Sequence, residues 1–344
     1  MLAYTYLPEG KLRLIERPRP KMSPGSAVVM VKACSVCGTD LRTYLNGNRR
    51  ITPPRVIGHE LCGEIVEIGA ELSSKQEGFS LGERITVAPA VGCGRCYSCT
   101  RGHTNLCAAL KTIGFQYDGG FAEYMEIPAE AFERGNVNRV SPAIGDEEAA
   151  LAEPVACVMN GQGLLGITAA DTVAVFGAGF IGCLHAELAL RKGSEKVFLI
   201  EIHPLRAQAA HRLLPEVEII DPTGIDLEAE GADAVIVACS SGQAQADALR
   251  IAARRGRVSL FGGLAGESRQ FLDSNAIHYK ELSIFGSHAS AVAQNRQVLD
   301  WLAAGKLDLG KYVSATYPLL EIQTAFEALR NEKVLKVLIT PVGA

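Results

Sequence analysis

The 344-residue chain has no run of eighteen uninterrupted apolar residues, so the sequence offers no transmembrane helix. Its first residues, MLAYTYLPEG, lack a basic region followed by an apolar run. Nothing there directs the chain to an oxidising compartment, and a cytoplasmic location is expected. Long basic runs are missing as well, and 34 basic against 38 acidic residues leave a net charge of −4. Neither nucleic acid nor an anionic membrane surface is therefore an expected partner. No internal repeat or low-complexity tract interrupts the chain, and with 48% hydrophobic residues its length suits about two folded domains.

What the chain does have is a knot of four cysteines, Cys93, Cys96, Cys99 and Cys107, spaced C-x2-C-x2-C-x7-C. Four thiolates this close can surround one tetrahedral Zn²⁺ at about 2.3 Å each with no open position, which makes a structural site rather than a reacting one. An iron–sulfur run also begins with two C-x2-C steps but continues C-x3-C-P, whereas here seven residues intervene and Ala108 follows. Disulfides fit poorly with the expected compartment. Unliganded cysteines usually hide singly in cores, and these stand among Gly92, Gly94, Arg95, Ser98 and Arg101.

The chain changes character near residue 145. Before it, short apolar stretches such as 27–33 and 65–68 are separated by Pro and Gly, as in a β-rich domain with long connections. After it, β-branched runs at Thr172–Phe176, Lys196–Ile200, 234–238, 258–261 and 282–285 alternate with Ala/Leu-rich stretches. That alternation predicts an α/β fold with a parallel sheet covered on both faces. Residues 1–150 and 288–344 are expected to form one discontinuous domain carrying the zinc lobe 91–108, and 151–287 a second. The apolar run 334–339 is expected to rejoin the first.

Directly after the strand Thr172–Phe176 stands Gly177-Ala178-Gly179-Phe180-Ile181-Gly182, followed by an Ala/Leu-rich helix. In that context Gly177 permits a tight turn, Gly179 lets backbone approach a pyrophosphate, and Gly182 lets helix and strand pack closely. The helix N-terminus adds free N–H groups and partial positive charge. Glu201 ends the second strand, 24 residues beyond Gly177, where a carboxylate accepts ribose hydroxyls and repels a 2′-phosphate. NAD(H) is expected over NADP(H), with Arg206 either attracting such a phosphate or facing solvent.

The first domain also holds Cys37-Gly38-Thr39-Asp40 and Gly58-His59-Glu60, and the second opens near Glu153-Pro154. One thiolate, one imidazole and one or two carboxylates form the mixed donor set with which zinc keeps a place for water or substrate. Cys37 and His59 are the expected direct ligands, with Glu60 and Glu153 sharing the remaining place directly or through water. Successive strand residues face opposite sides, so His59 and Glu60 can both ligate only if the backbone bends, which Gly58 allows. Pro154 is expected to hold Glu153 extended. Cys34 makes a further C-x2-C step with Cys37, but it most simply packs in its strand.

In motif order and spacing the whole chain resembles the zinc-dependent medium-chain dehydrogenases, in the branch of the sorbitol, threonine and galactitol-phosphate enzymes. The resemblance runs through Cys37-Gly38-Thr39-Asp40, Gly58-His59-Glu60, the four cysteines, Gly119-Gly120-Phe121-Ala122-Glu123-Tyr124, Glu153-Pro154 and the glycine fingerprint. It implies a GroES-like catalytic domain completed by the C-terminal part, a Rossmann domain between, a homodimer or homotetramer, and two zinc ions per chain, one catalytic and one structural. It implies that Thr39 is a hydroxyl relay for the alcohol proton. It also implies cofactor contacts at Cys239, Phe261, Gly262 and Gly286, besides those at Gly177, Gly179, Phe180, Ile181, Gly182, Glu201 and Arg206.

Where the sorbitol and threonine enzymes commonly carry a histidine, five residues after the first zinc cysteine, this chain has Arg42. Arginine keeps its proton, so the relay must end elsewhere, at Asp40 or water. The loop that follows is short and carries Arg49, Arg50 and Arg55, which with Arg42 either grip an anionic group or form a solvated face. The expected activity is oxidation of a secondary alcohol in a polyol, sugar derivative or cyclitol, with or without phosphate. L-Threonine oxidation and a non-catalytic NAD- and zinc-binding sensor are the alternatives.

Overall fold

In the computed structural model the described residues are 1–73, 78–224, 231–264, 272–331 and 334–341. The chain forms two compact units, Met1–Ala156 with Ala289–Ala344, and Cys157–His288.

The first unit is β-rich. Its main sheet contains β1 (Ala27–Ser35), β2 (Glu60–Ile68), β3 (Arg84–Val87), β4 (Tyr124–Ile127) and β5 (Val137–Arg139). The order is β5-β3-β2-β1, continued by the strands Lys336–Thr340 and Val313–Pro318, with β4 also paired to β1. β1 is buried along nearly its whole length because it has partners on both edges and side chains packed on both faces. Both β1 and β2 outrun their apolar cores: long antiparallel pairing carries β2 back through Gly63 to Glu60. The register sets Ser35 opposite Glu60 on one side and opposite Leu338 on the other. The chain's end thus returns to the point where β1 leaves the sheet for the helix α1 (Gly38–Asn46).

The second unit follows α2 (Ala152–Leu165), inside which the division between units falls. It consists of β6 (Thr172–Phe176), α3 (Phe180–Arg191), β7 (Lys196–Ile200), α4 (Pro204–Leu213), β8 (Glu218–Ile220), β9 (Ala232–Val237), β10 (Ala252–Leu260) and β11 (Ser283–Gly286). All strands pair in parallel in the order β8-β7-β6-β9-β10-β11. This is the doubly wound dinucleotide order with its switch point between β6 and β9. β10 begins six residues before the apolar run at 258, because pairing with β9 extends to Ala252 across a register shift.

One buried group makes this unit sensitive to acid. His185 of α3 is 0% exposed, its ring lies edge-on to Phe261 at 4.6 Å, and neither ring nitrogen has a hydrogen-bond partner among the described residues. Burial, helped by the charge of Lys192, pulls it from its ordinary 6.5 down to about 3. The folded state therefore holds a neutral imidazole that the unfolded chain protonates below 6.5. Its stabilising contribution is complete above that value and is lost as pH falls toward 3, at roughly 1.4 kcal/mol per pH unit while this one proton is taken up on unfolding. His185→Leu should flatten that slope. Urea midpoints for both proteins at pH 7 and pH 5 test this, and parallel losses would contradict it.

Candidate active site and metal centres

α1 starts at the end of β1, and Cys37 is its N-cap. The Cys37 sulfur accepts a hydrogen bond from Thr39 N at 3.4 Å, while Asp40 Oδ2 accepts one from Cys37 N at 3.0 Å. The N-terminus of α1 places partial positive potential at this sulfur. His59 arrives from the far side. Gly58 has φ +96°, and a Cβ there would stand 2.9 Å from both Cys34 Sγ and a Phe121 ring carbon, so glycine makes the bend that precedes β2. Glu60 is the first residue of β2, and the ligating atoms of Cys37, His59 and Glu60 lie within 4.8 Å of one another.

The surroundings of this trio suit a cation. His59 Nδ1 is 3.6 Å from Asp40 Oδ1, an ion-pair distance, and has no hydrogen-bond partner among the described residues. Burial pulls the imidazole down, yet Asp40 and Cys37 more than offset it and hold it well above its ordinary value. Glu153 is buried in the first turn of α2, and its charge acts on both His59 and Lys336. It lies outside the tight trio. The expectation that Pro154 holds Glu153 extended is overturned: proline is tolerated in the first helical turn, where its missing N–H has no intrahelical partner to lose. Asp40 is 2% exposed, with one oxygen on the Cys37 amide and the other toward His59.

Sequence reasoning missed Lys336. It is 4% exposed, its Nζ lies 2.5 Å from Glu60 Oε2 and 3.1 Å from Val36 O, and Ser35 Oγ donates to the same Glu60 oxygen. Burial lowers the ammonium's affinity for its proton, but Glu60 and then Cys37 raise it further, so Lys336 stays charged. The signal was a single lysine inside the apolar run 334–339. Cys34, as expected, is buried in β1. Arg42 Nη2 donates to Thr39 Oγ1 at 3.0 Å, placing a guanidinium on the hydroxyl read as the relay.

The four-cysteine lobe passes a metric test. A tetrahedron of 2.3 Å Zn–S bonds has sulfur–sulfur edges of about 3.8 Å. Cys96 and Cys107 stand 3.8 Å apart, and all four sulfurs fall within 4.8 Å. Cys107 Sγ accepts from the amides of Cys93 and Ala109, at 3.2 and 3.3 Å. The amides of Cys99 and Ala108 pull Cys96 down to about 6. At Cys99 burial outweighs the Gly94 amide and pushes the thiol up, and the four soft sulfur donors suit zinc.

In the second unit the nucleotide residues gather at the carboxyl ends of the strands. Gly177 has φ +96° and donates to Ile200 O at 2.8 Å, and a Cβ on Gly182 would stand 1.7 Å from Gly177 O. Gly179, the N-cap of α3, has open space where its Cβ would be, so a pyrophosphate can approach its backbone. Phe180 is buried in the first turn and Ile181 half-buried beside it. Glu201 accepts from Ala178 N at 2.7 Å and His203 N at 2.9 Å, which aims its carboxylate at the glycine turn. Glu201 and Arg206 both act on the Cys239 thiol, and a Cβ on Gly262 would clash with Cys239 O at 2.4 Å. Phe261 and Gly262 follow β10, and Gly286 ends β11 with open space around it. The donors and free space fit a dinucleotide.

The chain is similar to known proteins along nearly its whole length. Residues 23–134 match the family described as alcohol dehydrogenase GroES-like domain, and residues 181–304 the family described as zinc-binding dehydrogenase. The chain is 31% identical to the L-threonine 3-dehydrogenase of Pyrococcus furiosus, over 96% of this chain and 95% of that protein. It is 29% identical to the sorbitol dehydrogenase of Halalkalibacterium halodurans, over 97% and 96%. An alcohol dehydrogenase (rspB) of Escherichia coli CFT073, solved with NADH, superposes with a TM-score of 0.87 at 29% identity, covering 99% of each chain. Among the described residues no helix is long and apolar enough to cross a membrane.

Proposed function

The chain belongs to the zinc-dependent medium-chain alcohol dehydrogenases, and from that premise we propose that it oxidises a secondary alcohol of a polyol, sugar derivative or cyclitol to a ketone with NAD⁺. The observation that carries the reading is the convergence of Cys37, His59 and Glu60 within 4.8 Å, with the Thr39 amide on the Cys37 sulfur at the start of α1. Cys37 and His59 would hold the catalytic zinc, with Glu60 in ligating reach, and Cys93, Cys96, Cys99 and Cys107 the structural one. When bound, zinc supplies Lewis acidity to the substrate hydroxyl and NAD⁺ accepts the hydride from its carbon.

The chain's own residues do the rest. Asp40 faces the His59 ring and holds the start of α1. Thr39 Oγ1 receives the alcohol proton and releases its own to water. Arg42 donates to that oxygen and cannot accept a proton, so it orients the hydroxyl without joining the relay. Overall, one alcohol and one NAD⁺ give one ketone, one NADH and one proton. The same reading makes the enzyme a cytoplasmic homodimer or homotetramer.

NADH formation at 340 nm with a panel of polyols, inositols and L-threonine, run beside metal analysis, tests this reading. Turnover of polyols with two zinc ions per chain is the expected result. Exclusive turnover of threonine would favour the amino-alcohol alternative, and binding of NAD⁺ and zinc without any turnover the sensor. Glu201 sets the cofactor. The kcat/KM for NAD⁺ should exceed that for NADP⁺ by at least ~10²-fold, and Glu201→Ala should raise the KM for NAD⁺ about 10-fold while kcat holds. A wild-type preference for NADP⁺ would reject the role of Glu201.

A further inference from the structure

Four arginines occupy α1 and the loop after it, and the structure sorts them. Arg55 is committed: its Nη1 lies 3.2 Å from Asp118 Oδ1, and Asp118 also takes the Val56 amide and Arg17. Arg49 is exposed. Arg42 holds the Thr39 hydroxyl. Arg50 lies over the Phe115 ring, with Cζ 5.3 Å from the centroid, and Phe115 in turn stands 5.9 Å from the His59 ring.

Arg50 is not on a free loop. Its amide donates to Asn48 Oδ1 and its carbonyl accepts from Gln116 Nε2, both at 3.0 Å. Asn48 is itself tied by its amide to Tyr6 and by its side chain to Thr43. These bonds fix the Arg50 backbone, and its exposed guanidinium stands over the Phe115 ring, which is also a neighbour of His59. Among the described residues neither Arg42 nor Arg50 has a carboxylate within 4.0 Å. Two exposed guanidiniums with donor capacity unspent therefore contact residues next to the metal-ligating trio, one at the Thr39 hydroxyl and one at the Phe115 ring.

Resting on the polyol reading, we propose that the substrate carries an anionic group, a carboxylate or a phosphate, a few carbons from the reacting hydroxyl, and that Arg42 and Arg50 grip it. A guanidinium presents paired N–H donors that match the oxygens of either anion, and an aromatic face keeps that fork oriented. The substrate class is thus a sugar acid or a polyol phosphate rather than a neutral polyol. Arg42 would serve twice, orienting Thr39 and binding the anion. That accounts for an arginine where a proton-carrying histidine commonly stands in the related enzymes.

The test uses the zinc-loaded enzyme with NAD⁺ and matched compounds: galactitol, galactonate and galactitol 1-phosphate, then sorbitol, gluconate and sorbitol 6-phosphate. An anionic member should surpass its neutral parent at least ~10-fold in kcat/KM, and the carboxylates and phosphates tell the two anions apart. Arg50→Gln should raise the KM of the preferred anion about 10-fold and leave the neutral parent within about 2-fold, and Arg49→Gln, which removes the same charge one residue away, should change neither. Calorimetric binding of that anion should weaken in step with KM. Equal use of neutral and anionic members, or an Arg50→Gln effect shared by Arg49→Gln, would overturn the grip while leaving the polyol reading standing. So would an Arg42→Gln effect confined to the KM for NAD⁺. If no member of the panel reduces NAD⁺, the polyol reading is what fails, and calorimetry on galactonate and galactitol 1-phosphate with Arg50→Gln still decides the grip.

Discussion

His59→Ala should lower kcat/KM by at least ~10³-fold, about 4 kcal/mol of transition-state stabilisation, and leave one zinc per chain in place of two. The imidazole is one of three groups whose ligating atoms fall within 4.8 Å, so its loss removes a ligand and opens the site to water. The fold should survive, because the four-cysteine lobe and the sheet core do not depend on this ring. Asp40→Asn should show the milder version, a loss of about 10- to 100-fold, since it disturbs only the orientation of His59 and the cap of α1. Metal analysis beside activity separates the two, and retention of both zinc ions with full activity in His59→Ala would disprove the assignment.

Lys336→Met should have the largest effect on stability. Glu60 is 1% exposed, and without the ammonium Ser35 Oγ would be its remaining side-chain hydrogen-bond donor among the described residues. Removing one partner of a buried pair typically costs about 3–5 kcal/mol because the other charge is left uncompensated. Zinc changes the size of the loss. A dication beside Glu60 supplies a second partner, so the variant should be hurt more when stripped of metal than when loaded. With zinc bound, Glu60 released from Lys336 should occupy the substrate's place and lower kcat with zinc content unchanged. The double variant Lys336→Met/Glu60→Gln, which leaves no unpaired charge, should regain most of the stability but not the activity. Urea unfolding with and without chelator gives the four corners of that cycle. Equal losses in both metal states would count against the role of Lys336 beside the metal.

Residue identity and short spacing carried much of this protein's chemistry into plain view. The Cys93–Cys107 spacing, the glycine turn after Phe176 and the neighbours His59 and Glu60 are constellations of adjacent residues, whose geometry chain connectivity nearly dictates. The helical state of Glu153 was hidden for the opposite reason. Proline's effect on its neighbour depends on whether a helix has already begun, and packing decides that. The fate of the arginines was equally invisible, since only folding brings Asp118 to Arg55 and Phe115 to Arg50.

By itself the sequence determined which atoms could ligate zinc and which backbone could receive a dinucleotide, because those sets are local and their donor chemistry is intrinsic to the residue types. The tertiary structure alone decided how the site is charged. Lys336 reaches Glu60 across 276 residues because the strand Lys336–Thr340 pairs with β1 in a register that sets Leu338 against Ser35. Sheet register is a property of the whole packed core, and no spacing along the chain records it.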